Sequence, residues 1–204
     1  MHQKQSKRDL ILELAEQSVL QKGFAATSID ELIAAAGITK SGFFYHFKDK
    51  ADLAKHLFLR YVEQDDRIFA DLFNEADACC TDPLDSLLLM LKLLADMLSD
   101  MPSLHPGCMV ASYCYQHQLF NSEIRDLNAE GVLRWRKLFL DRLEQIARKH
   151  PPTGDVDMEA VADMVMASVE GGIILSRSLD TKDLLPRQVL LCRDYIKRVF
   201  RPNG

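Results

Sequence analysis

Between Thr27 and Asp49 the chain writes two very short helices on either side of a glycine, and this arrangement constrains the fold more than any other feature. Thr27 and Ser28 both suit a helix N-cap. Ser28 with Glu31 also makes an S-x-x-E capping box, in which each side chain satisfies the other residue's orphan backbone amide. Ile29, Leu32, Ile33 and Ala36 give the following helix one apolar face, and Gly37 ends it after about two turns. Thr39 can then cap a third short helix through Tyr45, with Phe43 and Phe47 spaced to pack inward. Ahead of both, Leu10, Ile11, Leu14, Ala15, Ser18 and Val19 share a face of a first helix predicted over 7–22, where Gly23 supplies a left-handed stop. Three short helices with a Gly-bearing turn, within about fifty residues, form a helix-turn-helix unit.

The remainder also reads as helix. Asp49 can cap a fourth helix, and neither Pro nor Gly interrupts the chain from there to Asp82, so this helix can serve as the mechanical link between two domains. Pro83, the prolines between Met101 and Gly107, and the 151–154 segment punctuate helices predicted at 84–99, 107–119, 122–149, 156–179 and 184–200. No strand-like alternation, repeat or low-complexity tract occurs. The expected fold is all-α with about nine helices: a homeodomain-like helix-turn-helix domain over 1–50 and a larger helical domain over 51–204.

The 204 residues are 48% hydrophobic, enough for a real core. No apolar run approaches the roughly 20 residues a bilayer span needs, and Lys4, Lys7, Arg8, Asp9, Glu13 and Glu16 are scattered through the first twenty positions, so neither a signal peptide nor a membrane anchor is expected. Five cysteines, an odd number with no zinc-ligand spacing, suit reduced thiols in the cytoplasm. The net charge of −5 is unevenly spread: positions 1–60 carry nine Lys and Arg against seven Asp and Glu, and the rest is net −7. Only the N-terminal third can lie on a polyphosphate without strong repulsion. Residues 1–6 are expected to form a flexible arm, with Lys4, Lys7 and Arg8 making its neighbourhood basic.

The run from Thr39 to Lys50 puts small polar, basic and aromatic side chains on one short helix. Thr39 and Ser41 are small enough to let that helix approach the major groove. Lys40 can reach a base edge or a phosphate, and Tyr45 and His46 can donate to phosphate oxygens. Lys50, at the start of the next helix, can hold a phosphate together with free backbone amides. Phe43 and Phe47 read as core.

Gly23-Phe24, Thr27-Ser28, Ala36-Gly37-Ile38, Phe44-Tyr45-His46-Phe47 and Lys50-Ala51-Asp52-Leu53 recur here at fixed spacing. From Lys7 to about Leu57 the chain thereby resembles the DNA-binding domain of TetR-type (TetR/AcrR) transcriptional regulators. The resemblance implies DNA contact through Thr27, Ser28, Thr39, Lys40, Ser41, Gly42, Phe44, Tyr45, His46 and Lys50. Two departures matter: Ser41-Gly42 reverses the usual Gly-Thr/Ser order, and Phe44 stands where a tyrosine commonly offers a phosphate-bonding hydroxyl. Operator preference therefore does not transfer.

His105-Pro106-Gly107-Cys108-Met109-Val110 resembles the Gly-Cys-Leu/Met opening of the sixth helix in one branch of that family, which implies a small organic effector. Cys108, Ser112, Tyr113, Cys114 and His117 are candidate pocket residues, with Met90, Met97, Met101, Trp135 and Met166 as deformable walls, although Met and Cys at helical spacing also suit plain core. Cys114 and His117 lie one turn apart, but two ligands do not make a metal site; neither metal nor cofactor is expected. Gly171-Gly172 sits inside an apolar stretch where each glycine costs roughly 1 kcal/mol against alanine, which implies close approach of another backbone. Met164, Ser168, Gly171, Gly172, Leu175, Val189, Tyr195 and Ile196 are the candidate dimer interface, a four-helix bundle that the resemblance also implies.

The expected function is a homodimeric repressor released from a palindromic double-stranded operator by a small-molecule effector, with recognition helices about 34–36 Å apart or wider. Its effector would prefer a conformation in which the fourth helix has swung. Activation in place of repression, a thiol or electrophile sensor using Cys108, and a helical protein-interaction scaffold are the alternatives. No orienting acid, nucleophile elbow or oxyanion loop accompanies Cys108, Cys114 or His117, so no catalytic residue and no enzyme activity are expected.

Overall fold

A computed structural model describes residues 6–201 and is helical, with no strand among the described residues. The order is α1 (Lys7–Ala26), α2 (Ile29–Ala36), α3 (Lys40–His46), α4 (Lys50–Cys79), α5 (Pro83–Ser99), α6 (Met109–Tyr115), a 3-10 turn (His117–Leu119), α7 (Ser122–Lys149), α8 (Met158–Ser178) and α9 (Leu184–Phe200). Most of the expected basic arm, Lys4 included, lies outside the described residues. No helix among the described residues is long and apolar enough to cross a membrane.

The chain divides into two compact units, one of Met1–Gln64 with Pro106–Gly131 and one of Asp65–His105 with Val132–Gly204. The first is larger than the 1–50 domain drawn from sequence. It gathers the start of α4, all of α6 and the start of α7 around the helix-turn-helix, a long-range association that no local pattern announces.

Within the first unit, the Ser6 side chain caps α1 by accepting from the Asp9 amide at 3.1 Å. Ile11, Leu12, Ala15 and Val19 are buried on one stripe. Gly23 is a kink and not the stop expected there: at φ 84°, ψ 162° it breaks the helix, after which Phe24 to Ala26 add a further turn. The capping box forms as expected, with Ser28 Oγ accepting from the Glu31 amide at 3.2 Å and Glu31 Oε2 accepting from the Ser28 amide at 3.4 Å. Gly37, at φ 59°, ψ 46°, closes α2 in the left-handed region. Thr39 Oγ1 accepts from the Gly42 amide at 3.1 Å and so starts α3. The helix expected over 107–119 is shorter: its first turn lacks a side-chain cap at Cys108, and its last residues wind into the separate 3-10 turn.

In the second unit Asp82 caps α5, its Oδ1 accepting from the amides of Leu84 and Asp85 at 2.9 and 3.3 Å. Lys149 and His150 meet its Oδ2 at 2.9 and 2.8 Å. Partial desolvation opposes ionisation of this carboxyl, but the hydrogen bonds from Lys149, His150 and the two amides outweigh it and hold the group well below the usual carboxylate range. Helix α9 packs against α5 and α8.

The α8·α9 contact explains one of the paired glycines. A Cβ on Gly172 would lie 2.9 Å from Leu185 Cα and 2.8 Å from its Cδ1, whereas one on Gly171 would meet nothing within 4 Å. The close backbone approach inferred from sequence is thus made at Gly172 by the same chain. Replacing Gly172 with alanine should lower stability by about 1–3 kcal/mol through overpacking, or roughly 3–10 °C in Tm, despite alanine's higher helix propensity. A thermal melt that is unchanged or raised would contradict this packing.

Candidate nucleic-acid interface

Helix α3 has seven residues and two sharply different faces. Phe43 and Phe47 are 0% and 1% exposed, so the aromatic pair is core, as its spacing predicts. Lys40, Ser41, Phe44 and Tyr45 are exposed on the other side, and Tyr45 is 85% exposed. Thr39 Oγ1 lies 3.0 Å from Ser41 Oγ, leaving both hydroxyls at the surface next to Lys40. His46 is half-buried with its ring edge-on to Tyr45, and Gly42 is half-buried above Thr39. Lysine, hydroxyls and a phenol on one small surface are donors suited to phosphate oxygens and base edges.

Two sequence-predicted contact residues are placed differently. Thr27 is 1% exposed; its hydroxyl donates to the Gly23 carbonyl at 3.0 Å and lies 2.9 Å from Ser18 Oγ, so it braces the kink and offers no side chain to a ligand. Lys50 Nζ donates to the carbonyl of Phe24 at 2.8 Å and sits 4.6 Å from the centre of the Phe24 ring. Burial pulls its ammonium down from the usual lysine range. It is therefore a cap for the last carbonyls of α1, which its position at the head of α4 could not reveal. Ser28 commits its oxygen to the capping box and remains half-exposed. Lys7, read as part of the basic arm, donates to the Ala36 carbonyl at 3.2 Å and closes α2.

In the same unit lies an aromatic cluster. Tyr113 of α6 stacks on Phe120 at 4.4 Å between centroids and meets Phe58 at 5.3 Å and Phe24 at 6.0 Å. Its hydroxyl donates to the Ala54 carbonyl at 2.8 Å, and burial raises the phenol's pKa. Gln116 Oε1 accepts from the Ala25 amide at 2.9 Å, which ties α6 to the end of α1. Beside the cluster is a partly open cavity of about 230 Å³. Tyr113, Cys114 and His117, expected in a pocket, do line it; Cys108 and Ser112 do not. Sequence reading missed Arg125 and Asn128 in the same wall, because the only signal is their place on the first turns of α7, opposite α6.

The remaining pocket candidates belong to the second unit. Met90 is fully buried core, Met97 is 38% exposed, and Met101 and Met166 are half-buried. Trp135 is buried edge-on to Phe69, with its indole N–H lacking a partner among the described residues. Burial pushes the Cys192 thiol up to about 11, and partial desolvation with neighbouring acids raises Cys80, the direction that suppresses thiolate. Of the interface candidates, Gly172, Val189 and Ile196 are corrected: all three are buried inside the chain's own α8·α9·α5 packing and have no surface to offer. Leu175 and Tyr195 are exposed, with Met164, Ser168 and Gly171 half-buried. Tyr195, Met164 and Ser168 line a shallow groove of about 370 Å³ with the exposed Leu191.

Residues 11–57 match the family model for bacterial regulatory proteins, tetR family. Over 206 aligned residues the chain is 28% identical to the probable HTH-type transcriptional regulator ArpR of Pseudomonas putida, covering 96% of this chain and 89% of that protein. The HTH-type transcriptional regulator TtgR, also of Pseudomonas putida, is similar to the same extent, with identical coverage. Among solved structures, a TetR transcriptional regulator from Chloroflexus aurantiacus superposes with a TM-score of 0.79 at 23% identity over 95% of both chains, a likeness of fold.

The placement of Lys50 has a direct consequence. Lys50→Ala should lower Tm by roughly 2–8 °C, about 1–2 kcal/mol, in the absence of any DNA. If the variant melted like the parent while DNA affinity fell, Lys50 would be a phosphate ligand and not a helix cap.

Proposed function

The chain belongs to the TetR family of DNA-binding bacterial transcription regulators, and from that membership we propose that it is a cytoplasmic homodimeric repressor, released from a palindromic operator by a small-molecule effector. Residues 1–50 supply the DNA contacts, and 51–204 supply effector binding and dimerisation. The observation that carries this reading is the exposed face of α3, where Lys40, Ser41, Phe44 and Tyr45 stand outward on a helix held from behind by Phe43 and Phe47.

With Thr27 and Lys50 engaged inside the fold, the direct contact set is Ser28, Thr39, Lys40, Ser41, Gly42, Phe44, Tyr45 and His46. One helix of this length reads only a few base pairs, so useful affinity needs two copies on successive turns of the duplex. The exposed apolar residues Leu175, Leu179, Leu191 and Tyr195 of the α8–α9 region support dimerisation there, together with Gly171, whose missing side chain leaves open space. The effector acts by preferring a conformer whose paired α3 helices no longer match successive grooves, and its effect is limited by its differential affinity for the two states. The alternative of a thiol sensor using Cys108, which sits half-buried at the start of α6, is not carried forward, since the relatives favour a DNA-binding regulator without that feature.

Selection of bound sequences from random duplexes should recover a palindrome, and binding to it should weaken steeply with salt; indifference to every duplex at low salt would sink the proposal. Lys40→Ala should reduce the slope of log affinity against log salt by about one, and Tyr45→Ala should weaken binding roughly tenfold with Tm unchanged. Leu175→Glu should raise the dimer dissociation constant at least about tenfold in sedimentation experiments and weaken operator binding with it. A fully dimeric Leu175→Glu protein would place the interface elsewhere.

A further inference from the structure

The exposed face of α3 carries one side chain whose chemistry differs from its neighbours. Lys40, Ser41 and Tyr45 offer an ammonium and two hydroxyls, whereas Phe44 offers only carbon and is still 43% exposed. Residues four apart in a helix lie one above the other, so the face consists of two rows, Lys40 with Phe44 and Ser41 with Tyr45. The phenyl ring is held in place. It packs edge-on with the fully buried Phe43 ring, at 88° and 5.4 Å between centroids, and Phe43 in turn lies 5.7 Å from Phe47. The ring therefore meets a ligand already positioned, without the ordering cost that a long flexible side chain would carry.

A double helix offers such a ring few favourable contacts. Phosphates are charged, and the base edges in the major groove are mostly hydrogen-bond donors and acceptors, which an approaching phenyl ring would strip of water and leave unpaired. The exception is the C5 methyl of thymine, an apolar group that projects into the major groove and distinguishes thymine from the other bases. Against that methyl the ring buries carbon on carbon and desolvates no polar group. Cytosine at the same place lacks the methyl, and a purine there presents its N7 acceptor to a side chain that has no donor.

We propose that Phe44 is a specificity-determining residue that reads the C5 methyl of a thymine in each half of the operator, while Lys40, Ser41 and Tyr45 supply the hydrogen bonds around it. This rests on the reading of the chain as an operator-binding dimer and gives that operator a required chemical feature, a thymine at a fixed place in each half-site. The selection is made by apolar contact alone. Burial of one methyl-sized group is worth about a fourfold change in binding constant, so the two half-sites together contribute about fifteenfold.

The test uses the full-length chain and the palindrome selected from random duplexes. Each thymine of the half-site is replaced in turn, symmetrically in both halves, by deoxyuridine, which keeps the base pairing and the O4 acceptor and lacks only the methyl. At one thymine or more the parent should lose about fifteenfold in affinity at fixed salt. Phe44→Ala should bind the thymine duplex more weakly and hold the thymine and deoxyuridine duplexes within about twofold of each other. Phe44→Gln, whose side chain favours a helix more than phenylalanine does, should be equally indifferent and decides the matter if the alanine variant loosens α3. Both variants should keep the parent's slope of log affinity against log salt, since neither removes a cation. A half-site without thymine, a parent insensitive to every methyl, or undiminished methyl sensitivity in either folded variant would overturn the role of Phe44 and leave the DNA-binding reading standing. Failure to select any duplex would bring down that reading and this inference together.

Discussion

The burial of Phe43 and Phe47 is the interaction on which the rest depends. A seven-residue helix cannot hold itself together in water, where isolated helices shorter than about 12–15 residues are marginal. Helix α3 exists because the ring of Phe43, and that of Phe47 just past its end, are removed from solvent, each worth roughly 1.5–3 kcal/mol. Caps secure its entry: Thr39 receives the Gly42 amide, and Gly37 turns the preceding chain. With its position secured from behind, the outer face is not needed for stability. Lys40, Ser41 and Tyr45 stand on that outer face, free of the demands of the core.

The end of α1 is held in a comparable way. Gly23 bends the helix, and the turn beyond it is fixed by its own cap residue and two distant parts of the chain: Thr27 on the Gly23 carbonyl, Lys50 on the Phe24 carbonyl and Gln116 on the Ala25 amide. Phe24 projects from this turn into the Tyr113–Phe120 stack. A kinked turn clamped by helices from both ends of the unit can be shifted by any of its holders, and one of them borders a cavity.

In the second unit charge is arranged largely in pairs. Several of its carboxylates are paired within the fold: Arg142 forks onto Asp77, Arg136 onto Asp163, and Arg201 meets Asp85. Partly exposed pairs of this sort add little stability, but bidentate geometry fixes orientation. In the first unit Lys22 pairs with Glu31 and Lys55 with Glu123, but other basic residues take different roles. Lys7 and Lys50 close helix ends, while Lys40 remains exposed on the α3 surface.

Local chemistry determined the helices, because capping boxes, glycines with positive φ and apolar periodicity act over four or five residues and leave their mark in order along the chain. The boundaries of α2, α3, α7 and α9 follow from such signals, as does the inward pairing of Phe43 with Phe47. What only the tertiary structure decided is which way the ambiguous residues face. Lys50 and Thr27 carry side chains equally fit for phosphate or for a carbonyl, and the nearness of the kinked end of α1 settled that choice. Val189 and Ile196 are apolar residues fit for a subunit interface or a core, and α5 claimed them for the core. Arg125 and Asn128 look like solvated helix residues until α6, brought in by burial of Tyr113 and Phe120, places a cavity against them. Contacts of this kind join residues far apart in sequence, and their partners are set by volume and desolvation summed over a whole unit, which no stretch of sequence encodes by itself.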